Sequence, residues 1–484
     1  MTRALMFQGT GSDVGKSLIV AGLCRAFARR GLRVIPFKPQ NMSNNAAVTN
    51  DGGEIGRAQW LQAFAAGVEP SVHMNPVLLK PQSDQTSQVI VQGKYHATSN
   101  AADYQKTRGG LMTRIMQSYA HVRGAADLVL VEGAGSPAEI NLRAHDIANM
   151  GFAREADCPV VLIGDIDRGG VIASMVGTKN VIAPEDAAMI RGFIINKFRG
   201  DIALFADGMA AIEAHTGWRG LGVVRHHAPL RHLPQEDALA MSGHTTQAGA
   251  GGPVRIVAFA LPHLANFDDL DPLMQEPKVS FRWLKGGEVL PADTDLVIIP
   301  GSKATLSDLS YLREQGWEVD LQAHRRRGGR IMGLCGGYQM LGNSISDAEG
   351  REGPPATAKG LSMLAVDTVF AKEKTVTPWR GKTGEGYSVS GYEIHLGRTT
   401  GDDTVRPMFT GENGAEGAIS ADGLVCGSYI HGLFANDEYR KELLRILGAG
   451  EAGLANYWAE MDAIMNGWAD ALEASLDMDA LLTL

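Results

Sequence analysis

The sequence predicts two α/β domains in tandem, each a largely parallel sheet with helices on both faces. Short apolar runs alternate with helical patterns along most of the 484 residues, which is typical of doubly wound sheets. Two glycine-rich turns, one near each end of the chain, separate a strand-like run from a helix-like run. Turns of this kind lie at the carboxyl ends of parallel strands, where such sheets bind ligands. The sequence therefore predicts two separate ligand sites.

The first turn is Gly9–Ser17, GTGSDVGKS. It predicts a phosphate-binding loop, in which backbone N–H groups hold phosphate oxygens, Lys16 adds a positive charge and the Ser17 hydroxyl can bind magnesium. The spacing departs from the usual Walker pattern, because Thr10 occupies the position of its first glycine. The residues of this loop that we expect to bind ATP are Thr10, Gly11, Asp13, Val14, Gly15, Lys16 and Ser17.

Three polar residues follow other predicted strands of the first domain. Glu132 can complete a magnesium site with Ser17, because magnesium on a nucleotide usually takes one or two carboxylates; a helix cap is the alternative. Lys38 can meet the transferring phosphate or a substrate carboxylate, or it is a solvated lysine. The amide of Asn196 matches the donor and acceptor edge of adenine, with an ordinary turn asparagine as an equal alternative.

The second turn, GLCGGYQMLG, contains Cys335 and follows a strand-like run. It predicts a nucleophile elbow, where a helix N-terminus favours a thiolate and flanking glycines permit the turn. His431 in SYIHGLF is the candidate base, because it also lies at a strand end. Gly336 and Gly301 are expected to supply oxyanion-hole N–H groups. The alternatives are a buried structural cysteine, a turn histidine and a plain β-turn.

Composition excludes several classes of function. The net charge of −9 argues against nucleic acid as a main partner, which normally requires excess Lys and Arg. The four cysteines are scattered without metal-ligand spacing, as in a reducing compartment. The first strand begins almost at the start of the chain, leaving no room for a signal peptide, and no apolar run is long enough to cross a bilayer. We expect a cytoplasmic enzyme without a membrane partner.

Changes in composition suggest the domain boundaries. We expect a first domain over residues 1–232, a polar, glycine-rich linker over 233–253, a second domain over 254–447 and a helical tail over 448–484. A metal site built from His226, His227 and His232 is conceivable. A solvated loop is favoured there, because no cysteine or carboxylate lies at ligand spacing.

Many segments, in order and over nearly the whole chain, resemble the cobyric acid synthase family, glutamine-dependent amidotransferases of cobalamin biosynthesis. They include FQGTGSDVGKS, FKPQNMSNNA, VEGAGSPAEINL, GDIDRGGVIAS, LPHLANFDDLDPL, GLCGGYQMLG, GYEIHLGRT and SYIHGLF. The resemblance implies a P-loop domain similar to dethiobiotin synthetase, whose phosphate loop shares the unusual spacing. A class I (triad) glutamine amidotransferase domain would follow it.

By this resemblance, Cys335 is the nucleophile and His431 its base, and magnesium is held by Ser17, Glu132 and Glu54. The match at Glu54, in EIGRAQ, is weak. One departure concerns the triad itself, because such enzymes usually carry a glutamate two residues after the histidine, where this chain has Leu433. Either another group such as a backbone carbonyl orients His431, or glutamine hydrolysis is slow until the other site is occupied.

The resemblance also implies the reaction. The enzyme would amidate the b, d, e and g carboxylates of adenosylcobyrinic acid a,c-diamide and so give adenosylcobyric acid. It would use ATP and Mg²⁺, with glutamine as the nitrogen donor. Ammonia would pass between the domains along an enclosed path. Candidate corrinoid contacts, each with a surface, core or interface alternative, are Lys80, Ser83, Gln88, Tyr392, Glu393 and His395.

Three rival functions stay open. They are the synthase that makes the a,c-diamide, an amidotransferase for another polyacid, and a nucleotide-dependent switch with an inactive amidotransferase domain. Self-association also stays open.

Overall fold

The structure is a computed structural model that describes residues 2–82, 86–100, 103–104, 106, 108–234, 252–450, 453 and 456–484. Of the predicted linker, residues 235–251 lie outside the described residues, as does Ser83 among the candidate contacts. No helix in the described part of the chain is long and apolar enough to cross a membrane.

The first domain is built on a six-stranded sheet in which every neighbouring pair is parallel. Its spatial order is Arg219–Arg225, Ile190–Phe198, Val160–Asp165, Arg3–Gly9, Leu128–Glu132 and Val34–Phe37. The central strands are buried along almost their whole length, because helices cover both faces. Phe7 lies opposite Glu132 and Asp165 opposite Asn196, so the predicted polar residues share one edge of the sheet.

Helices connect these strands, and smaller sheets extend the domain toward the second one. The helices are Lys16–Arg29, Arg57–Ala66, Met112–Ala125, Met150–Glu155, Val171–Val181, Pro184–Ala187 and Ala206–Thr216. A four-stranded sheet consists of Gln40–Met42, Val77–Pro81, Thr86–Val91 and Lys94–Asn100, and a two-stranded one of Ala46–Val48 and Glu54–Gly56.

The second domain has its own six-stranded sheet. Its spatial order is Val279–Leu284, Val254–Phe259, Leu296–Ile299, Arg330–Leu334, Val425–Ser428 and Ala418–Ile419. Only the last pair is antiparallel. Its helices are Asp271–Met274, Thr305–Glu314, Trp317–Arg326, Gly336–Leu341 and Asp437–Ile446. The predicted class of two α/β domains with mostly parallel sheets is confirmed.

A second sheet covers one side of this domain and was not foreseen from the sequence. Its central feature is a long antiparallel hairpin of Asp367–Thr383 and Ser388–Thr400. The flanking strands are Ser344–Asp347, Ala356–Lys359, Phe409–Gly411, Gly414–Glu416 and Ile430–His431. Two further short strands, Leu264–Ala265 and Gly301–Ser302, pair with each other beside the turn that contains Cys335.

The C-terminal tail returns to the first domain. Its helices, Tyr457–Ser475 and Met478–Thr483, bury apolar residues in the same core as the phosphate-loop helix. The contact is close, because a Cβ added to Gly22 would lie 2.5 Å from both Trp468 and Leu472. The Trp468 indole N–H donates to the Leu18 carbonyl at 2.7 Å. The predicted helical tail is therefore part of the first domain's core.

Replacing the buried tail tryptophan should destabilise the first domain. We expect Trp468→Ala to lower the free energy of unfolding by about 3–5 kcal/mol through the lost apolar burial and the cavity left behind. Denaturant titration followed by circular dichroism measures the change. The matched control is Trp458→Ala, because that side chain is 36% exposed. Equal effects of the two variants would contradict a structural role for the tail.

Candidate functional site

The phosphate loop has the predicted order of strand, loop and helix. Gly15 adopts a left-handed conformation with φ of 94° and begins the helix at Lys16, which favours glycine there. The Lys16 ammonium donates to the carbonyls of Gly11 at 3.0 Å and Gly135 at 3.1 Å. Lys16 thus spans the loop and the segment after the neighbouring strand, across the space where a phosphate would lie.

Glu132 lies at the centre of this site and is fully buried. Its Oε1 accepts hydrogen bonds from the Ser17 hydroxyl at 2.7 Å and from the Lys38 ammonium at 2.8 Å. Its Oε2 accepts from the side-chain amides of Gln62 at 2.6 Å and Gln59 at 3.3 Å. The structure thus brings together three of the predicted site residues. Sequence reasoning missed the two glutamines, which lie on one helix three residues apart, a spacing that places side chains on the same face.

The Ser17 hydroxyl and the Glu132 carboxylate fit the requirements of magnesium. This ion prefers oxygen ligands and usually takes one or two carboxylates together with phosphate oxygens and water. Two protein oxygens 2.7 Å apart at the start of the phosphate-loop helix make such a donor set. The Lys38 ammonium forms an ion pair with the same carboxylate. The negative charge of Glu132 is therefore balanced in the protein alone.

Asn196 braces the phosphate loop. Its amide donates to the Val14 carbonyl at 2.8 Å, and the neighbouring Lys197 binds the Asp13 carbonyl and, at 2.9 Å, the Asp165 carboxylate. An adenine that paired with Asn196 would compete with the Val14 carbonyl of the loop for the Asn196 amide N–H. The adenine role of Asn196 therefore stays a prediction.

Glu54 is held by two lysines. Its carboxylate binds Lys80 at 2.7 Å and also Lys374 of the second domain. Burial alone would raise the pKa of Glu54, but these two ammonium groups outweigh burial and hold the pKa well below its usual range. Both carboxylate oxygens thus bind lysines in the protein alone, and the role of Glu54 as a magnesium ligand stays a prediction.

Cys335 lies at a sharp turn between the strand Arg330–Leu334 and the helix Gly336–Leu341. Its backbone has φ of 49° and ψ of −108°, a strained conformation for a residue with a side chain. The cysteine itself therefore makes the turn. The glycines beside it serve close packing, since a Cβ on Gly337 would lie 1.9 Å from the Ile299 carbonyl oxygen.

His431 faces this turn and is held by Asp269. The Asp269 Oδ2 lies 2.6 Å from the His431 Nδ1, and the Asp269 Oδ1 accepts the Gly432 N–H at 2.7 Å. A carboxylate can only accept, so Nδ1 carries a proton. The buried Nε2 makes no hydrogen bond within the described part of the chain, and Cys335 lies near enough to raise the pKa of the ring. Asp269 thus orients His431, which is the role of the usual triad glutamate and one that Leu433 cannot perform. The orienting group is a carboxylate and not the backbone carbonyl suggested above.

Sequence reasoning missed Asp269 because it lies 162 residues before His431. It belongs to the 3-10 helix Phe267–Leu270, FDDL. The available signal was the presence of adjacent buried acids in an apolar segment, since acids are rarely buried without a partner. That signal does not distinguish Asp269 from Asp268, whose carboxylate lies 2.7 Å from the Arg57 Nε of the first domain.

The Asp269 contact has a consequence for the pH dependence of stability. Burial alone would lower the pKa of His431, but the Asp269 carboxylate and the Cys335 sulfur raise it to about 10. The folded-state pKa thus exceeds the unfolded value of about 6.5. The resulting stabilisation is fully present below about pH 6.5 and is lost as the pH rises toward about 10.

We therefore expect the difference in Tm between the wild type and His431→Gln to shrink as the pH rises from about 7 to about 10. Thermal unfolding of both proteins across this range tests it. A difference that stays constant would contradict a protonated His431 in the folded protein.

The two glycines predicted for the oxyanion hole both lie at the turn. A Cβ on Gly301 would lie 3.7 Å from both the Cys335 Cβ and the His431 Cε1. A Cβ on Gly336 would lie 2.9 Å from the Ser302 N. The space around the sulfur is thus bordered by backbone, which suits the binding of a developing oxyanion. The role of the two N–H groups stays a prediction.

The loop that contains Asp269 is fixed by the first domain. The Asn266 amide donates to the Ala46 carbonyl at 2.6 Å and to the Tyr392 hydroxyl at 2.9 Å. The Tyr392 hydroxyl donates to the same Ala46 carbonyl at 3.1 Å, and its ring stacks on His431 with centroids 5.4 Å apart. Tyr392 is therefore an interface residue beside the histidine.

The remaining candidate contacts also lie at buried positions. The His395 ring stacks on Tyr429 with centroids 3.8 Å apart, and its Nε2 lies 3.6 Å from the Glu393 Oε1. Lys80 is buried against Glu54, and Gln88 lines the cavity at Cys335. The role of these residues as corrinoid contacts stays a prediction. The described residues contain no cluster of three metal-ligating side chains, so no histidine site forms near residues 226–232.

The fold and the two sites define a nucleotide-binding domain joined to a glutamine amidotransferase domain. Residues 5–239 match the CobQ/CobB/MinD/ParA nucleotide binding domain, and residues 255–439 match the CobB/CobQ-like glutamine amidotransferase domain. A solved structure described as a glutamine amidotransferase is 16% identical, covering 40% of this chain and 97% of that one with a TM-score of 0.31, a likeness too low to support any argument.

Relatives of full length identify the family. The chain is 59% identical to the cobyric acid synthase of Methylorubrum populi, over 100% of this chain and 99% of the relative. It is also 59% identical to that of Azorhizobium caulinodans, over 100% of both chains, and 57% identical to that of Cereibacter sphaeroides, over 99% of both. The chain belongs to the cobyric acid synthase family.

Proposed function

We propose that the protein is a glutamine-hydrolysing carbon–nitrogen ligase that amidates the b, d, e and g carboxylates of adenosylcobyrinic acid a,c-diamide. The observation that carries this proposal is the presence, in one chain with full-length cobyric acid synthase relatives, of a phosphate loop and a Cys335, His431 and Asp269 group. The four cysteines, all free of disulfides, favour a reducing compartment such as the cytoplasm.

The first domain activates the acceptor. A carboxylate is a poor electrophile, because its charge repels nucleophiles and its oxygen is a poor leaving group. Transfer of the ATP γ-phosphoryl group to a carboxylate oxygen gives an acyl phosphate and ADP. Lys16 and the loop N–H groups stabilise the charge on the transferring group, and Lys38 lies close enough to Glu132 to orient either the phosphate or the carboxylate.

Ser17 and Glu132 would hold magnesium on the nucleotide, where the ion supplies neutralisation of phosphate charge. Around that position, the side-chain amides of Gln59 and Gln62 fix the Glu132 carboxylate. Lys38 balances its charge. These contacts hold Glu132 in one orientation before the nucleotide binds, which reduces the cost of assembling the site.

The second domain supplies ammonia. The Cys335 thiolate attacks the side-chain amide carbon of glutamine, and the tetrahedral oxyanion that forms faces the Gly301 and Gly336 backbone. His431 gives a proton to the departing nitrogen, so ammonia leaves and a γ-glutamyl thioester remains. Water then attacks the thioester with His431 accepting its proton, which releases glutamate and restores the thiolate. Asp269 keeps the ring in the productive tautomer throughout.

Ammonia then attacks the acyl phosphate, giving the amide and inorganic phosphate. We infer an enclosed path for it, which is supported by the close contact of the two domains around Cys335. With amide-¹⁵N glutamine and excess unlabelled ammonium in solution, we expect the product to keep nearly all of the ¹⁵N label. Dilution of the label to the solution ratio would contradict an enclosed path.

The central experiment is mass spectrometry of cobyrinic acid a,c-diamide, with and without its adenosyl group, after incubation with Mg²⁺, ATP and amide-labelled glutamine. We expect stepwise uptake of up to four labelled amides by the wild type. Cys335→Ala should lose uptake from glutamine and keep it from ammonia. Glutamine hydrolysis and ATP turnover without corrinoid labelling would instead favour the a,c-diamide synthase or another polyacid.

A further inference from the structure

Cys335 borders a narrow cavity of about 10 Å³, which is room for about one water molecule. A groove of about 620 Å³ adjoins it. The cavity and the groove share four lining residues, Gln88, Glu352, Lys374 and Leu396. These residues therefore form a junction between the groove and the space in front of the Cys335 sulfur. A small molecule that enters through the groove must pass this junction to reach the cysteine.

The junction and the cavity present charges of both signs. Lys303 lines the cavity and is 6% exposed, and its ammonium has neither an ion pair nor a hydrogen bond with any described residue. The Lys374 ammonium binds Glu54 of the first domain. In the described part of the chain, the hydrogen bonds of Glu352 all go through its Oε2, which accepts from the Thr305 N–H at 3.2 Å and the Thr305 hydroxyl at 2.9 Å. One cation and one carboxylate oxygen are therefore left for a ligand.

The protonation behaviour of these groups agrees with this interpretation. Burial raises the pKa of Glu352, and the nearby positive charge of Lys303 opposes part of this rise. Burial lowers the pKa of Lys374, and the nearby charge of Lys303 adds to that effect. A ligand that brings an anion to the lysines and a cation to the glutamate would oppose both shifts.

We propose that the junction binds the α-amino acid head of glutamine, with Lys303 and Lys374 on the α-carboxylate and Glu352 on the α-ammonium. The side-chain amide is then directed toward Cys335, and the narrow cavity, which has room for about one water molecule, must widen to admit it. This inference rests on the proposed function, since it takes glutamine as the molecule that Cys335 attacks. A zwitterion satisfies both signs of charge, whereas a corrinoid carboxylate would leave Glu352 without a counter-ion.

The first domain completes this site. Its Glu54 fixes the Lys374 ammonium, and its Gln88 lines both the cavity and the groove. Glu54 is thus a positioning residue for glutamine binding, which gives its double contact with lysines a function other than metal binding. The glutamine site is therefore incomplete in the second domain alone.

Steady-state kinetics of glutamine hydrolysis by the full-length enzyme test the proposal. We expect Lys303→Met and Glu352→Gln each to raise the KM for glutamine about 10- to 100-fold, the range for a lost charge-assisted hydrogen bond, with a smaller change in kcat. The matched control is Lys372→Met. Lys372 lies two residues from Lys374 on the same strand and lines the groove without reaching the cavity. The KM of this variant for glutamine should therefore stay within about twofold of the wild-type value.

Modified substrates identify which charge each residue meets. The α-methyl ester of glutamine lacks the carboxylate charge, and N-acetylglutamine lacks the ammonium charge. The wild type should prefer glutamine over both. Lys303→Met should lose its preference over the ester but keep that over the N-acetyl compound, and Glu352→Gln should do the reverse. A purely structural role for either residue would not produce this crossed pattern.

The outcomes separate this proposal from the proposed function. If the wild type hydrolyses glutamine but both variants keep the wild-type preferences, the head-group site is wrong and the proposed function stands. If the wild type does not hydrolyse glutamine at all, both fall. Ammonia-dependent synthesis measured on each variant shows that the protein is folded, so an unfolded variant cannot pass for a binding defect.

Discussion

Asp269→Asn should reduce glutamine-dependent amidation by about 10²–10⁴-fold, the usual contribution of a positioned acid–base group. The amide would no longer fix the proton on the Nδ1 of His431, so the ring would lose both its productive tautomer and the charge that stabilises its protonated form. Loss of the carboxylate should also lower the pKa of His431 from its present value of about 10. The measurement is glutamate release, compared with synthesis from free ammonia in the same preparation.

The matched control is Asp271→Asn. Asp271 lies in the same segment and is half-buried, and burial raises its pKa well above the usual range. An asparagine there keeps the size of the side chain, and no hydrogen bond or ion pair joins Asp271 to His431 in the described part of the chain. We expect glutamine hydrolysis to change by less than about tenfold in this variant. Equal losses in both variants would show that Asp269 acts through the folding of the segment alone.

The two turns were predictable because each depends on a local sequence. The phosphate loop and the Cys335 turn are encoded by contiguous glycines between a strand and a helix, and the structure has both in the expected order. The pair of Ser17 and Glu132 was also predictable, because parallel strands bring their carboxyl ends to one edge of a sheet. Register alone then places Glu132 beside the loop.

Other parts of the sites depend on contacts between the domains. Asp269 reaches His431 from a segment fixed by the Ala46 carbonyl of the other domain. Glu54 resembles a metal ligand in sequence, but its actual partner Lys374 lies 320 residues away. No periodicity or spacing encodes such pairs, because they follow from how two separately folded surfaces meet. The packing of Trp468 against the phosphate-loop helix could not be predicted for the same reason.

One helix contacts both sites. Arg57–Ala66 carries Gln59 and Gln62, which hold Glu132, and its first residue forms an ion pair with Asp268, next to Asp269. The strand directly before it, Glu54–Gly56, begins with Glu54. A displacement of this helix when nucleotide binds would therefore reach His431 and Lys374 together. This helix is therefore a continuous physical connection between the two sites.

Glu132→Gln should abolish most of the activity of the first domain, including synthesis from free ammonia. We expect kcat for ammonia-dependent amidation to fall by about 10²–10³-fold at saturating ATP, the scale seen when one preorganised electrostatic group is removed. The substitution removes the carboxylate that would hold magnesium with Ser17. It also leaves the Lys38 ammonium, whose side chain is 5% exposed, without its counter-ion. Titration of activity with Mg²⁺ should show a much higher half-saturating concentration.

Two further variants show whether the change in Mg²⁺ titration is specific to Glu132. Asp186→Asn removes another buried carboxylate of the first domain, which binds Arg143 at 2.5 Å. Asp186 lies on the helix that precedes the strand Ile190–Phe198, whereas the phosphate loop follows a strand parallel to it. This variant should lower stability without moving the Mg²⁺ titration. Glu54→Gln separates the two assignments of Glu54: a magnesium ligand would shift the half-saturating Mg²⁺ concentration, whereas a residue that positions Lys374 would shift the KM for glutamine. We expect the second result, because both Glu54 oxygens bind lysines.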